Sequence, residues 1–275
     1  MLLRAVALMT MLVLSASGAA ADSLLLPVFA HNAIGADGAR WSSELYLTNP
    51  GQQPVQVTLE QLLPGHVAAS SPCRSFLAAT RVVPPRAAVV WTAAGLSTDL
   101  GCADEAIGGL ILRVDGPLEV SSRIVRHVEP PDPGTHLTGV GQEIAAVPLD
   151  RLPGPGAYLL PALVWQHGPH QGGGFSAALG FANPGPNPVS VMLQLAPESA
   201  GHALRIDDQQ VDLPHLLEVP PGSWSQVRLA PPIDDADGPR GFSLLVTIDG
   251  PLAFYASVLD RSSADPRTVV PVPLD

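Results

Sequence analysis

The 275-residue chain has no lysine, two cysteines, 5% aromatic residues and 14% charged residues. Its 14 basic residues are all arginines, its acidic residues number 25, and its formal net charge is −11. Proteins that bind nucleic acids or anionic membranes present a basic face, so this charge balance disfavours both classes of partner. The 30 prolines and 26 glycines argue against a helical bundle, because both residues destabilise the interior of long helices. A hydrophobic fraction of 46% still allows a packed core.

The chain begins with the pattern of a secretory signal peptide, residues 1–21. Arg4 precedes the apolar run 5–14, and three alanines at 19–21 provide the small residues of a cleavage site. The run is shorter than the ~20 apolar residues that a membrane-spanning helix needs, and later apolar stretches are broken by proline or glycine. An N-terminal anchor helix is the alternative interpretation. We expect an exported protein, periplasmic or extracellular, that starts at Asp22 and has no transmembrane segment after cleavage.

The two cysteines, Cys73 and Cys102, fit an oxidising compartment, where disulfides persist. They are 29 positions apart, so a bond between them would stabilise the fold by roughly 3–4 kcal/mol through loop-closure entropy. Two buried thiols are the alternative. The spacing excludes a CxxC redox or zinc site.

Much of the chain forms an internal sequence repeat, with most matched positions 134 residues apart. The matched segments are Leu26-Pro27 with Leu160-Pro161, Trp41-Ser42 with Phe175-Ser176, Asn49-Pro50-Gly51 with Asn183-Pro184-Gly185, Val83-Pro84-Pro85 with Val219-Pro220-Pro221, and Asp115-Gly116-Pro117-Leu118 with Asp249-Gly250-Pro251-Leu252. Both copies end in Val-Pro-Leu-Asp. The repeat predicts one domain at residues 24–150, a second at 158–275, and a short, stiff Pro/Gly linker at 151–157.

Each copy predicts short antiparallel strands. Segments 44–48 and 55–60 alternate around the Asn-Pro-Gly turn signal, and Asp115-Gly116 is the preferred dipeptide of a tight hairpin. Residues 93–100 are compatible with a helical turn. About 120 residues per copy, with turns at regular spacing, indicate a β-sandwich. The predicted fold class is therefore all-β: two tandem antiparallel β-sandwich domains from an internal duplication.

The strand-turn-strand segments 45–59 and 179–193, the Val-Pro-Pro corners and the late Asp-Gly-Pro-Leu segments resemble bacterial secreted immunoglobulin-like or fibronectin-like modules of unassigned function. The resemblance covers nearly all of the mature chain. It implies extracytoplasmic interaction or scaffolding and brings no catalytic residues. The second copy departs from it, because Tyr255-Ala256-Ser257 replaces Ser121-Ser122-Arg123. A role that depends on Arg123 is thus not shared by the two copies.

Two segments carry metal-ligating side chains without a complete ligand set. Imidazole nitrogens are good transition-metal ligands, and flexible acidic loops suit calcium. The first segment has no third ligand nearby, and the second does not match the spacing of an EF-hand, so we predict no metal site and no cofactor. The candidate ligands in these segments are His167 and His170 in the first, and Asp234, Asp235 and Asp237 in the second.

Catalytic and binding signals are sparse. No G-x-S-x-G motif occurs, and Ser176 follows Gly174-Phe175 without the second glycine of a nucleophile elbow. Trp165 aligns with His31 of the first copy, which makes it a candidate for a surface aromatic that binds a glycan or peptide, although most sandwich tryptophans pack in cores. The longer segment 129–142 of the first copy is a candidate recognition loop.

The sequence predicts a non-enzymatic exported protein that acts in interaction or scaffolding, with an unknown envelope protein or glycan as its partner. One alternative is a periplasmic assembly chaperone with two immunoglobulin-like domains, which would complement a client by strand pairing at a sheet edge. The other is a calcium-stabilised adhesion fragment.

Overall fold

The structure, a computed structural model, describes residues 22–35, 39–65, 79–102, 105–127, 141–165, 174–197, 204–230, 240–260 and 265–274. Across these ranges the chain forms strands in antiparallel sheets, with one short α-helix and one 3-10 turn. The prediction of an all-β protein is therefore confirmed. No helix in the described ranges is long and apolar enough to cross a membrane.

The first half of the described chain forms two sheets. Its elements are β1 (Asp22–His31), β2 (Ala33–Ile34), β3 (Arg40–Thr48), β4 (Val55–Pro64), β5 (Ala79–Val83), β6 (Ala88–Thr92), α1 (Ala93–Asp99), β7 (Ala106–Val114), β8 (Glu119–His127), β9 (Gly141–Ala145), β10 (Val147–Pro148) and the 3-10 turn Leu149–Arg151. Sheet 1 has the strand order β10-β1-β7-β4-β5. Sheet 2 has the order β6-β3-β8-β9, and β2 also pairs with β3.

The second half forms two further sheets. Its strands are β11 (Gly156–Trp165), β12 (Phe175–Asn183), β13 (Val189–Leu195), β14 (Leu204–Ile206), β15 (Gln209–Val211), β16 (His215–Val219), β17 (Ser223–Ala230), β18 (Arg240–Ile248), β19 (Ala253–Asp260), β20 (Asp265–Val269) and β21 (Val272–Pro273). Sheet 3 has the order β17-β12-β19-β20, with the β14–β15 hairpin on β17. Sheet 4 has the order β21-β11-β18-β13-β16.

The two halves share one strand order. Sheet 4 repeats sheet 1, and sheet 3 repeats sheet 2, when each strand is replaced by the strand that carries the matching sequence. The register of β1 against β7 shifts between Leu26 and Phe29, and that of β11 against β18 shifts between Leu160 and Leu163. Within the described ranges, β2 and α1 lie in the first half and the β14–β15 hairpin lies in the second; most positions that match them in the other half lie outside those ranges.

The apolar side chains of the strands form two hydrophobic clusters. In β4, Val55, Val57 and Leu59 are buried, whereas Gln56 and Glu60 are exposed, as a strand with one face on a core requires. The first cluster contains residues of sheets 1 and 2 together with four residues of sheet 3, and the second contains residues of sheets 3 and 4. Burial of each large aliphatic side chain contributes about 1.5–3 kcal/mol, so packing of sheet against sheet is the main source of stability.

A buried asparagine ties the turn after β3 to the Val-Pro-Pro corner after β5. Asn49 is fully buried, and its Nδ2 donates to the carbonyl oxygens of Gln53 (2.8 Å), Val83 (3.2 Å) and Pro84 (3.1 Å). Its Oδ1 accepts from the N–H of Gly51 at 2.8 Å. The Asn-Pro-Gly pattern therefore marks a long-range tie as well as a local turn.

The second half repeats this tie. Asn183 is also fully buried, and its Nδ2 donates to the carbonyl oxygens of Asn187 (2.8 Å) and Val219 (3.0 Å). Its Oδ1 accepts from the N–H of Gly185 at 2.9 Å. Such buried carbonyl groups need a donor, because an unsatisfied one costs about 1–3 kcal/mol.

The prediction of a tight hairpin at Asp115-Gly116 is wrong. β7 lies in sheet 1 and β8 lies in sheet 2, so the turn crosses from one sheet to the other. Asp115 Oδ1 accepts from the backbone N–H of Gln56 at 2.7 Å, which ties the turn to β4 instead of β8. The crossing lets Val114 and Val120 pack against the first cluster from different sheets, and this burial outweighs the local preference of Asp-Gly.

The matching turn of the second half also crosses between sheets, from β18 to β19. Asp249 Oδ1 accepts from the backbone N–H of Ser190 at 2.7 Å. Hydrogen bonds from the Ser190 side chain and backbone lower the pKa of Asp249.

The predicted helical turn at residues 93–100 is confirmed as α1. Thr92 caps it, because Thr92 Oγ1 accepts from the N–H of Gly95 at 3.4 Å. Arg81 Nε lies 2.5 Å from Asp99 Oδ2, and its guanidinium stacks over Trp91 with 5.3 Å to the ring centre. These contacts attach the helix to the edge of the first half.

Candidate functional site

The two halves meet where β4 runs parallel to β17. The backbone of Leu63 and Pro64 pairs with that of Ser223 and Trp224, and the N–H of Gly65 donates to Trp224 O at 2.7 Å. This pairing joins sheets 1 and 3 into one sheet of 11 strands among the described residues. The contact between the halves decides which sheet faces remain accessible to a partner.

One face of sheet 3 supplies an aromatic pair to this contact. Trp224 and Tyr255 come from the second half but belong to the first hydrophobic cluster, together with Ala182 and Ala253. Gly180 is paired with Tyr255, and a Cβ atom on Gly180 would lie 2.4 Å from Cζ of the tyrosine ring. Small residues on β12 therefore make room for the ring.

The aromatic pair is deeply buried. Burial raises the pKa of the Tyr255 hydroxyl, and the neighbouring Trp224 side chain offsets part of the rise. Nε1 of Trp224 is itself buried and has no well-formed hydrogen bond among the described residues. Packing, rather than polar pairing, therefore holds the indole in place.

The outer face of sheet 1 receives this contact. Leu25 and Ile111 pair across β1 and β7, and Ile111 also pairs with the exposed Glu60, so the three side chains share the face opposite the first core. Leu25 and Ile111 are nevertheless 0% and 3% exposed, and β1 and β7 lie against β12, β17 and β19. Sheet 1 is thus buried on both faces in this region.

The corresponding face of sheet 4 is open. We define the sheet 4 outer face as Leu159, Met192, Leu216, Leu245 and Val272, which share the face opposite the second core. Leu159 and Leu245 pair as Leu25 and Ile111 do, 134 residues earlier, but they are only half-buried. Leu216 is 68% exposed and Val272 is 47% exposed. These two residues lie on the opposite edge strands β16 and β21, with the half-buried members of the face between them. An apolar sheet face that is accessible from edge to edge is typical of an interaction surface.

The outer face of sheet 2 is polar. Glu44 pairs with Arg123 across β3 and β8, and the Tyr46 hydroxyl donates to Glu44 Oε2 at 2.8 Å. Glu44 is only 1% exposed. Burial and the neighbouring Glu44 raise the pKa of Tyr46, whereas Arg123 opposes the rise.

Small residues replace this polar group in the second half. The positions 134 residues after Glu44, Tyr46 and Arg123 hold Ala178, Gly180 and Ser257. The same sheet face is therefore polar in the first half. In the second half it carries small side chains around Trp224 and Tyr255 and packs against sheet 1.

A serine and a histidine meet at the end of sheet 2. Ser42 Oγ lies 2.9 Å from Nε2 of His127 and accepts from the N–H of Asn32 at 2.8 Å. Hydrolases use this pair of residue types, but a nucleophile must reach its substrate, and Ser42 is 0% exposed. In this arrangement the hydroxyl connects β3 and β8 to the end of β1.

The structure describes only some of the residues singled out from the sequence. Cys102 is half-buried against the first cluster, and its Sγ lies 3.5 Å from Oε1 of Gln61. Its predicted partner Cys73 lies outside the described residues, so the disulfide stays a prediction. In the described part of the chain, no group of three or more His, Cys, Asp or Glu residues could hold a metal ion. The candidate ligands that lie outside that part are His167, His170, Asp234, Asp235 and Asp237.

Trp165 lies at the end of β11, 9% exposed, within the second hydrophobic cluster. This burial corrects the expectation of a surface position, because the large apolar indole is stabilised more by packing there than by exposure. A binding role for Trp165 stays a prediction.

The sheet 4 outer face was not identified from the sequence. Its signal is a pair of adjacent leucines, Leu159-Leu160 in β11 and Leu244-Leu245 in β18, which places an apolar side chain on each face of the strand. The first half carries Leu25-Leu26 and Leu110-Ile111 at the matching positions. Adjacent apolar residues predict that both faces are buried or bind a partner, but not which face is covered within the chain.

Comparison with known proteins provides no relative. No protein-family model matches the chain, and neither a curated protein nor a solved structure does.

Proposed function

We propose that this chain is an exported, non-enzymatic protein that mediates interaction or scaffolding in the cell envelope or outside the cell. In this proposal it consists of two tandem immunoglobulin-like β-sandwich domains that arose by internal duplication. The secretory pattern of residues 1–21 supports export.

Four structural correspondences support the duplication. The sheets of the two halves have the same strand order, and β1 and β11 carry a register shift at the same place. Asn49 and Asn183 make equivalent ties, and Asp115 and Asp249 accept equivalent backbone hydrogen bonds. A shared backbone that needs the same buried polar groups at the same places is expected of two copies of one module.

The observation that carries the proposed function is the open face of sheet 4. Its counterpart in the first half is covered by Trp224, Tyr255 and the small residues around them, whereas Leu216 and Val272 remain exposed. Hydrophobic burial is worth about 25 cal/mol per Å² of apolar surface, so covering this face stabilises a complex. Rigid strands hold these side chains in place, which lowers the entropy cost of binding.

Site-specific photo-crosslinking tests the proposal. A photoreactive amino acid replaces Leu216 in the full chain, which is exported in cells and irradiated. The matched control carries the same amino acid at Val82, which is 53% exposed on β5, the counterpart of β16. We expect discrete adducts in the envelope or extracellular fraction from position 216 and none from position 82.

Two results would overturn the proposal. One is the absence of adducts from position 216, or equal adducts from both positions. The other is a hydrolytic activity of the purified protein that is abolished by replacing a single Ser, His or Asp.

A further inference from the structure

We infer that the sheet 4 outer face binds the same face of a second copy of this chain, forming a dimer with twofold symmetry. The inference rests on the proposed function and names the partner of its interaction face. It follows from the charge of the face, from the faces that a second copy has available, and from the size of the sheet.

The face is almost uncharged in a strongly acidic protein. Gln194, Thr247 and Ala157 complete the rows of side chains around the apolar residues. The charged residues at this face among the described residues are Glu218, on the edge strand β16, and Asp249, which follows β18 and accepts a hydrogen bond from Ser190 in the same row. Two copies with a net charge of −11 each repel one another at long range. Contact is therefore least costly where neither copy presents charge, and the rows of this face beyond Glu218 and Asp249 meet that condition.

Among the sheet faces that the structure describes, a second copy offers one matching surface. The face of sheet 3 that fits an apolar sheet is already occupied within each copy, because Trp224 and Tyr255 lie in the first cluster. The equivalent face of sheet 2 holds Glu44, Tyr46 and Arg123 instead of small residues. Glu44 is already buried, but docking this face on apolar leucines would desolvate the half-buried Arg123 guanidinium and Tyr46 hydroxyl. Sheet 4 against sheet 4 remains, and such a contact between identical faces closes as a dimer.

The sheet is large enough for a weak dimer. Its four longer strands have five to ten residues each. Five strands about 4.8 Å apart, with a mean length of about 22 Å, offer roughly 500–600 Å² per copy. Two such faces bury about 1,000–1,200 Å² in total, which is the low end of the range for specific interfaces. The dimer should therefore dissociate on dilution.

Sedimentation equilibrium of the purified mature chain, over a wide range of protein concentration, tests the inference. We expect a reversible monomer–dimer equilibrium. Leu216→Glu and Met192→Glu each place two carboxylates in the symmetric contact, so we expect each to raise the dimer dissociation constant about tenfold or more. Val82→Glu, the matched control on the other half, should leave the constant unchanged. Thermal melting verifies that each variant is folded, and the exposed Leu216 decides the result if Met192→Glu does not fold.

The possible outcomes distinguish a second copy of this chain from a different partner protein. A wild-type chain that stays monomeric at all concentrations, or a dimer that neither glutamate variant weakens, overturns the inference. If the purified chain is monomeric while position 216 crosslinks to a different envelope protein, the second copy is the wrong partner and the proposed function stands. If the chain is monomeric and position 216 crosslinks to nothing, both proposals fail.

Discussion

Replacing Asn49 by alanine removes a side chain that makes four hydrogen-bond contacts. Its Nδ2 reaches three carbonyl oxygens and its Oδ1 accepts from Gly51, all within 3.2 Å. Water cannot replace the amide readily, because Asn49 is fully buried. Alanine therefore removes this donor from the buried carbonyl of Val83 and the part-buried carbonyl of Pro84.

The expected loss follows from the hydrogen-bond count. A net value of about 1 kcal/mol per hydrogen bond, increased by the cost of stranded buried carbonyls, predicts that Asn49→Ala lowers the free energy of unfolding by roughly 3–4 kcal/mol. Asn183→Ala removes three bonds and should cost about 2–3 kcal/mol. Asn49→Asp retains the acceptor for Gly51 but turns a carboxylate oxygen toward carbonyl oxygens, so its cost should be at least as large.

Scanning calorimetry and urea unfolding of the mature chain measure these losses. If the whole chain melts as one unit, roughly 3 kcal/mol lowers the melting temperature by about 6–12 °C. If the halves melt separately, each variant lowers its own transition, by about 12–24 °C, because a smaller unit has a smaller unfolding entropy. The pair of variants therefore also reports whether the halves unfold together.

The control is Asn187→Ala. Asn187 is exposed on the turn that follows Asn183, and its backbone oxygen is the part that accepts from Asn183. Its replacement should change stability by no more than about 0.5 kcal/mol. A cost for Asn49→Ala that is equally small would refute the reasoning, because it would mean that the carbonyl groups find other donors without loss.

Three further predictions concern the backbone and the contact between the halves. Arg86 adopts φ +53° where the second half has Gly222 at φ +62°, and no atom lies within 4 Å of a Cβ built on Gly222. Backbone strain alone should therefore make Gly222→Ala cost about 1 kcal/mol. Arg86→Gly relieves the same strain and should be neutral or stabilising; urea unfolding measures both variants. Gly180→Ala forces a methyl group against the buried ring of Tyr255 and should lower the free energy of unfolding by about 1–3 kcal/mol. In a double-mutant cycle, the same substitution in a Tyr255→Leu background should cost much less, because the clashing ring is absent. Because the pKa of Tyr255 is raised in the folded state, its contribution to stability is complete below the unfolded-state pKa of about 10 and is lost as pH rises toward the folded-state pKa. Tyr255→Phe removes this titration, so the free energy of unfolding should fall less steeply at alkaline pH, by up to about 1.4 kcal/mol per pH unit. Equal slopes in the variant and the wild type would contradict the last prediction.

Alternation and turn chemistry predict the strands but not the sheet to which each strand belongs. Residues 55–60 alternate and lie in β4, and the Asn-Pro-Gly segment ends β3 as expected. Asp115-Gly116 favours an in-sheet hairpin by local chemistry, yet the chain crosses between sheets there. The choice depends on which neighbours bury Val114 and Val120, and that information is distributed over the whole first half.

The candidate site was harder to predict because its residues look the same in both copies. Leu25 and Leu159 occupy matching positions, and each is followed by a second leucine. Leu25 becomes buried only because β12, β17 and β19 lie against β1 and β7, whereas no described strand plays that part for Leu159. A local pattern thus identifies an apolar face, but the tertiary arrangement decides whether the face is core or surface.

The divergence between sheets 2 and 3 limits how far the arrangement can extend. If both halves carried Ala178, Gly180 and Ser257, the first half of one chain could dock on the open sheet 4 of another chain, and this head-to-tail contact would repeat without closing. Open contacts of that kind produce fibres. Glu44, Tyr46 and Arg123 stand at those positions in the first half. Glu44 is already buried, but covering the half-buried Tyr46 and Arg123 with an apolar face would cost desolvation energy without providing new partners. The polar face of sheet 2 therefore limits this type of face-to-face docking to the two halves of one polypeptide. Sheet 4 is left as the described apolar face that is available to a partner.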